Sequence, residues 1–353
     1  MSDSLKSLPE NDKSQINPQN GEEQEGSEKE VIEKDFVPHF LPTYRISSKF
    51  YPLPIIAVVI IAGVLSYLTY VIAEIQIDGG YIPEAEFGAL AGILNGIIFT
   101  TLAAVSAFII IYFVKKRGIE ILKYIFGGSL AFLGFFLSLF FLSIIIDIIF
   151  SLIPESEVLD LVYFAIGYIT LPIFTGVFTI LIIYKYFTSK SIQTKNIIVL
   201  YMGLLIGAAM GVFMPLWTTL AILIGISIWD MFAVLYKKGP IKEMIDIASK
   251  GNDFEPATNQ EIQEKIKRGE AEYDTSKLEI GIGDLAFYSM LTSSALIQSN
   301  NIIVMILTAI AILVGTGITI MGLKRNKVLP GLPISIFLGI AAMLVSWYVI
   351  SII

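Results

Sequence analysis

Long apolar runs dominate this sequence and restrict what it can fold into. Nine segments are mostly apolar over enough residues to cross the ~30 Å hydrocarbon core of a bilayer as helices. They lie near residues 53–75, 88–114, 122–152, 160–187, 196–213, 216–237, 279–298, 302–323 and 331–352. Over all 353 residues the chain is 55% hydrophobic and 16% charged, which is outside the range typical of soluble domains. We therefore predict an all-α membrane protein with nine transmembrane helices.

The basic residues indicate how such a chain would lie in the membrane. All 24 lysines and arginines fall before the first apolar run or in the connections that follow the second, fourth, sixth and eighth runs. The connections 76–87 and 154–159 carry none. Because basic residues concentrate on the cytoplasmic side, we expect the N-terminus inside, the C-terminus outside, and a multi-pass protein of the cell membrane.

Composition divides the chain into four parts. Residues 1–50 are polar and acidic and are expected to form a disordered cytoplasmic tail. Residues 51–237 hold the first six transmembrane helices, and residues 279–353 hold the last three. Between them, residues 238–278 form a polar cytoplasmic loop, in which residues 241–248 have the spacing of a short amphipathic helix.

The residue inventory excludes several classes of chemistry. The chain has no cysteine and one histidine, His39, which lies in the polar N-terminal segment. Disulfides, thiolate metal sites and cysteine nucleophiles are therefore absent, and a zinc site built on two helical histidines cannot form. A serine–histidine pair inside the membrane is excluded for the same reason. We expect no cofactor and no metal, so proteolytic chemistry in the bilayer would have to use carboxylates.

Two aspartates lie inside apolar segments towards the cytoplasmic side, whereas Asp147 lies near the outer end of its segment and is expected at the interface. Asp230 is near the C-terminal end of the sixth segment and Asp284 is near the N-terminal end of the seventh. At 1.5 Å per residue, each lies ~9–11 Å deep from the same cytoplasmic face. The two helices would run antiparallel, so carboxylates at equal depth can meet. An acid at such depth is costly and indicates a function.

A close pair of carboxylates suits acid–base catalysis. The two groups tend to share one proton, so that one can take a proton from water while the other donates one. Gly281 and Gly283 lack side chains beside Asp284 and would allow close approach of another backbone. An ion or proton transporter, or a cation leak channel, would also use two such acids, and this alternative stays open here.

A third feature is the run Pro330-Gly331-Leu332-Pro333 at the start of the last apolar segment. The prolines indicate either irregular backbone lining a wet cavity or an ordinary helix start with proline in its first turn. Trp229 and Tyr288, which flank the two acids, are aromatic residues of either the core or the site.

These motifs resemble the presenilin and signal peptide peptidase family of intramembrane aspartyl proteases, in its archaeal type. The family pattern has Tyr-Asp in the sixth span, Gly-x-Gly-Asp in the seventh and Pro-Ala-Leu before the ninth. This sequence has Trp229-Asp230, Gly281-Ile282-Gly283-Asp284 and Pro330-Gly331-Leu332. The resemblance implies that Asp230 and Asp284 are the catalytic pair of an aspartic endopeptidase.

The resemblance also implies how substrate is bound. The expected substrates are transmembrane segments of membrane proteins or signal peptides, with lipid around them, no nucleic acid and no obligate partner subunit. The residues expected to bind substrate are Trp229, Leu278, Ile280, Gly281, Gly283, Pro330, Gly331, Leu332 and Pro333.

The sequence departs from the family at Trp229, which replaces tyrosine, and at Gly331, which replaces alanine. The 238–278 loop lacks the apolar segment that presenilins cut, so we expect a single uncut chain.

Overall fold

A computed structural model describes residues 30–32, 41–118, 120–235, 271–273, 277–324 and 330–352. Most of the predicted disordered tail and the predicted amphipathic helix at 241–248 lie outside the described residues.

Helices make up most of the described chain. In order they are α1 (Pro52–Tyr67), α2 (Glu84–Phe87), α3 (Ala89–Arg117), α4 (Ile121–Ser151), α5 (Glu157–Phe164), α6 (Leu171–Thr188), α7 (Ile192–Phe213), α8 (Leu216–Leu235), α9 (Ile282–Ser299), α10 (Ile302–Lys324) and α11 (Leu332–Ile352). A π-helical turn, Leu68–Ile72, extends α1, and a second one, Ala165–Thr170, joins α5 to α6. Among the described residues, eight helical segments are long and apolar enough to cross a membrane.

The expectation of an all-α membrane protein is confirmed, while α9 differs from the other predicted spans. It corresponds to the predicted segment 279–298, yet it is not among the eight apolar helices. Its residues from Tyr288 to Ile297 are all buried, and they include Ser289, Thr292, Ser293 and Ser294. Because protein rather than lipid surrounds this helix, it can carry hydroxyl side chains that lower its apolar character.

Helix α7 packs closely along α9 through a glycine stripe. A Cβ atom at Gly207 would lie 2.3 Å from the Cβ of Ser289, and one at Gly211 would lie 2.6 Å from the Cβ of Ser293. Gly203 faces Leu285 in the same way, at 3.2 Å. The contact positions rise together along both helices, which therefore run parallel. Small residues at such an interface let two backbones approach.

Four short strands lie in two pairs. They are β1 (Glu30–Ile32), β2 (Thr43–Ser47), β3 (Ala271–Tyr273) and β4 (Lys277–Gly281). Strand β1 pairs with β3 in parallel, and β2 pairs with β4 in antiparallel. Residues 43–47 therefore do not belong to a disordered tail. The predicted disordered tail therefore ends before residue 43 and not at residue 50. The prediction was wrong because the partner strand, β4, lies far along the chain and nothing in the sequence near residue 43 indicates the pairing.

Strand β2 is anchored on both sides. The Asn196 side chain accepts from the Arg45 backbone N–H at 2.9 Å and donates to the Arg45 carbonyl at 2.7 Å. Across the ladder, Arg45 Nε lies 2.9 Å from Glu279 Oε1. Just before β2, the Pro42 carbonyl accepts from the backbone N–H of Ile282, the first residue of α9. The segment ahead of α1 thereby holds the start of α9.

Candidate active site

Asp284 lies in the first turn of α9, where strand β4 becomes a helix. Gly281 ends the strand with an extended backbone (φ −65°, ψ 147°) and also caps the helix. Its backbone N–H interacts with the Asp284 carboxyl group. An acidic side chain at the third helical position commonly reaches back to the cap in this way, and the positive end of the helix dipole favours it.

The backbone direction of β4 shows which of its edges faces Asp284. The Arg45 backbone groups point to Asn196 and hence away from β4. In an antiparallel ladder the residue opposite, Glu279, then turns its own backbone groups away from β2, and so does Gly281 two residues later. The interaction of the Gly281 N–H with Asp284 agrees with this. The edge of β4 that is not paired with β2 therefore faces the Asp284 carboxyl group.

Asp230 lies near the end of α8 and caps a different helix. Its Oδ2 atom accepts from the backbone N–H of Leu332 at 3.3 Å, and Leu332 is the first residue of α11. The first N–H groups of a helix have no partner within it, and a carboxylate there is favourable. Pro333 fits the second position because it needs no N–H partner. The Pro330–Pro333 run is thus a helix start, and its capping group comes from α8.

The two carboxyl groups meet at Gly331. A Cβ atom at Gly331 would lie 3.6 Å from Asp284 Oδ2, and the next residue, Leu332, binds Asp230. Asp230 and Asp284 are close enough to interact electrostatically. Both residues are half-buried, so water can reach them. Two such groups can share a proton, one accepting from water and the other donating.

The other residues predicted to bind substrate lie in different surroundings. Those that are buried are Ile280, Pro330, Leu332 and Pro333, and those that are half-buried are Leu278, Gly281, Gly283 and Gly331. At Gly283 a Cβ atom would meet only Phe287, at 3.8 Å, so packing does not require glycine there. The Trp229 ring packs instead against Phe108 of α3 and Phe232 of its own helix, with ring centroids 5.9 and 5.6 Å away.

A cluster of buried hydroxyl groups contacts the backbone that lies beside the two acids. The Tyr288 hydroxyl, one helical turn after Asp284, donates to Ser335 Oγ at 3.3 Å. Thr316 Oγ1 lies 3.1 Å from Ser335 Oγ, so α9, α10 and α11 all contribute. Ser335 Oγ also donates to the carbonyl of Gly331 at 3.4 Å. The peptide between Gly331 and Leu332 is therefore held at its carbonyl by Ser335 and at its N–H by Asp230.

Sequence reasoning left Tyr288 undecided and missed Thr316 and Ser335. The one available signal was the helical spacing of Tyr288 from Asp284, which puts both side chains on one face. A threonine and a serine in apolar helices give no such signal. In the part of the chain that the structure describes, no group of three His, Cys, Asp or Glu side chains is placed to hold a metal ion.

Comparison with known proteins gives a consistent set of matches. The family model described as Presenilin matches residues 83–257 and 251–353, which include both aspartates and the Pro330–Pro333 run. Presenilin-B of Dictyostelium discoideum is 38% identical over 128 residues, or 36% of this chain. A presenilin-like protein of Arabidopsis thaliana is 24% identical over 321 residues, covering 71% of this chain and 76% of that protein. The presenilin homolog of Drosophila melanogaster is 25% identical over 171 residues, or 48% of this chain.

Two of these matches cover a minor part of the relative. The matched region spans 25% of the Dictyostelium protein and 29% of the Drosophila protein.

Proposed function

Because the chain belongs to the presenilin family, we propose that it is an intramembrane aspartyl endopeptidase whose catalytic residues are Asp230 and Asp284. The resemblance read from the three motifs is confirmed at the level of the family. The observation that supports the proposal is the approach of both carboxyl groups to the same short stretch of backbone, Gly331–Leu332. The proposed substrates are transmembrane segments of membrane proteins or signal peptides.

The proposed mechanism uses one proton shared by the pair. The ionised carboxylate takes a proton from a water molecule as the water attacks the carbonyl carbon of the scissile peptide bond. The protonated partner donates its proton to the carbonyl oxygen and becomes ionised. As the C–N bond breaks, the carboxyl group that took the proton from water donates it to the leaving nitrogen, and the ionised partner regains a proton from a hydroxyl of the tetrahedral intermediate. Asp230 and Asp284 exchange these roles as the proton moves, so the pair rather than either residue sets the pH dependence.

We propose that substrate binds as an added strand on β4. An extended peptide on a sheet edge gains backbone hydrogen bonds, and its alternate side chains are read by pockets. The edge of β4 opposite β2 faces Asp284, so a strand there would bring its peptide bonds to the pair. Gly281 and Gly283 leave room beside Asp284 for such a backbone.

The membrane arrangement is part of the same proposal. We propose that the end of the bundle with the basic connections lies in the cytoplasm, which places the N-terminus inside. The proposed location is the cell membrane. The alternative of an ion transporter or leak channel draws no support from the relatives, whose names all identify them as presenilins or presenilin-like.

The test is cleavage of a model transmembrane substrate by the purified full chain in detergent. The parent protein is expected to cut the substrate, and Asp230→Asn and Asp284→Asn are each expected to reduce cleavage by ~10⁴-fold or more, as removal of a catalytic group does. Asp147→Asn is the matched control, since Asp147 is an exposed acid of α4 that accepts a hydrogen bond from Tyr163 at 2.7 Å.

Cleavage should persist in the Asp147→Asn variant. Parent protein that shows no cleavage, but an ion flux that both site variants abolish, would replace the protease with the transporter.

A further inference from the structure

A cavity of about 510 Å³ opens beside strand β2, where α6 turns into α7. Three of its lining residues are cationic: Arg45 of β2, Lys190 in the turn, and Lys195 in the first turn of α7. Arg45 and Lys195 are close enough to repel each other. The described lining contains no carboxylate, although Arg45 pairs with Glu279 on neighbouring strand β4. The three cations give this wall of the cavity a positive potential that favours an anion.

Two further features of the cavity wall point to an anionic ligand. Helix α7 begins there at Ile192, with Ser191 as its cap, so the positive end of a 22-residue helix adds to the cationic side chains. Thr43 also lines the cavity, and its hydroxyl oxygen is buried without a hydrogen-bond partner. A buried hydroxyl without a partner is costly, so a change of the Thr43 rotamer that turns the hydroxyl towards a ligand oxygen in the cavity would be favourable.

The location of the cavity suggests the source of the anion. It lies at the end of the bundle that carries the basic connections, at the mouth between two membrane helices. Exposed apolar side chains such as Ile192 and Phe187 continue from the cavity onto the outer surface of the bundle. Basic pockets between transmembrane helices on that side suit the phosphate of lipid headgroups, with the acyl chains against the apolar surface.

We propose that this cavity binds a phosphate group, and that an anionic phospholipid supplies it. Arginine and lysine form strong charge-assisted hydrogen bonds with phosphate oxygens. The proposal rests on the cavity and not on the proposed proteolytic function. It has one link to the candidate site, because Arg45 also pairs with Glu279 on β4.

The experiment measures lipid binding to the delipidated full chain in a neutral detergent. The probe is short-chain phosphatidylglycerol, titrated by native mass spectrometry, with short-chain phosphatidylcholine and inorganic phosphate as parallel probes. The Lys190→Gln/Lys195→Gln variant is expected to bind phosphatidylglycerol about thirtyfold more weakly, since each cation contributes about fivefold. The Lys190→Arg/Lys195→Arg variant should retain binding because it keeps both charges.

The matched control is Lys116→Gln/Arg117→Gln. It removes two exposed basic residues from the end of α3, outside the cavity, and should bind as the parent does. Inorganic phosphate that binds as tightly as the lipid would identify a soluble phosphate as the source. Equal affinity of the parent and the Lys190→Gln/Lys195→Gln variant, or no binding of any probe to the parent, would overturn the proposal.

Discussion

The two aspartates are held in place by different devices. Asp284 is set by its own helix start, where the Gly281 N–H meets its carboxyl group. Asp230 is set by another helix, through the N–H of Leu332. A change at the start of α11 should therefore move Asp230 and leave Asp284 in place. The relative position of the two carboxyl groups depends on the peptide between Gly331 and Leu332.

Two glycine substitutions should separate packing from substrate binding. Gly207→Ala would push a Cβ atom to 2.3 Å from that of Ser289, so the α7–α9 contact must open. We expect a loss of about 1–3 kcal/mol in the free energy of unfolding, typical of overpacking. Gly283→Ala meets nothing closer than 3.8 Å and should leave thermal stability unchanged. It should still lower cleavage, because the methyl group would occupy the space proposed for substrate.

The Gly207→Ala and Gly283→Ala variants are compared with the parent by thermal unfolding and by the rate at which each cleaves one substrate. Full activity in Gly283→Ala would contradict the proposed path of the substrate backbone beside Asp284.

The hydroxyl cluster gives a second prediction at this scale. Ser335→Ala removes the donor to the Gly331 carbonyl, and Tyr288→Phe removes the donor to Ser335. Each lost hydrogen bond of about 1 kcal/mol should lower kcat roughly fivefold, because the peptide that binds Asp230 becomes less well positioned. KM should change little.

Tyr201→Phe is the control for these two variants. Its hydroxyl is hydrogen-bonded to Ser138 Oγ at 2.7 Å, away from the candidate site. It should cost similar stability and leave kcat unchanged. If kcat falls equally in Tyr201→Phe, the cluster has only a structural role.

Strand β2 is the element that ties the N-terminal segment to the candidate site. Through β4 it fixes the chain that leads into Asp284, and the Pro42 carbonyl caps the first N–H of α9. It lies outside the residues 83–353 that match the family model. The site therefore includes a part of the chain that the motifs do not mark.

Proline substitutions test this role of β2. By the alternation of the ladder, Ile46 directs its backbone N–H to β4, whereas Ser47 directs its N–H away. Ile46→Pro removes a ladder hydrogen bond and should lower cleavage severalfold. Ser47→Pro is the matched control, since the Ser47 φ of −63° already suits proline and should leave cleavage unchanged.

Both variants are compared by initial rates at saturating substrate. Equal rates for the parent and Ile46→Pro would show that β2 does not position the site.

The sequence predicted the helices much better than the strands. A helix that crosses a membrane satisfies its backbone internally and needs an apolar run, so its signal is local. A strand such as Thr43–Ser47 is fixed by a partner far along the chain. Its alternation of Tyr44 and Ile46 with polar residues spans only 5 residues, too few to predict a strand. The residues of the candidate site also differ in whether the sequence around them gives a local signal. Asp230 and Asp284 were found because a charge in an apolar run is conspicuous, while Ser335 and Asn196 act through neighbours that only the fold brings near.

At the scale of the whole molecule, we expect the active protein to be one uncut chain. The loop 238–278 lacks the apolar segment expected at a maturation cut. Intact-mass measurement of protein that cleaves substrate should therefore give a single species of 39.0 kDa. Two fragments that accumulate together with activity would contradict this expectation.

The burial of α9 has a consequence for biogenesis. A helix with four hydroxyl residues between positions 289 and 294 and a carboxylate in its first turn is a poor candidate for release into lipid from the translocon on its own. In the folded protein α9 packs into the groove formed by the glycines of α7. We therefore expect α9 to leave the translocon only when the helices before it are already packed together, so that the Asp284 carboxyl group enters the membrane after its protein surroundings have formed.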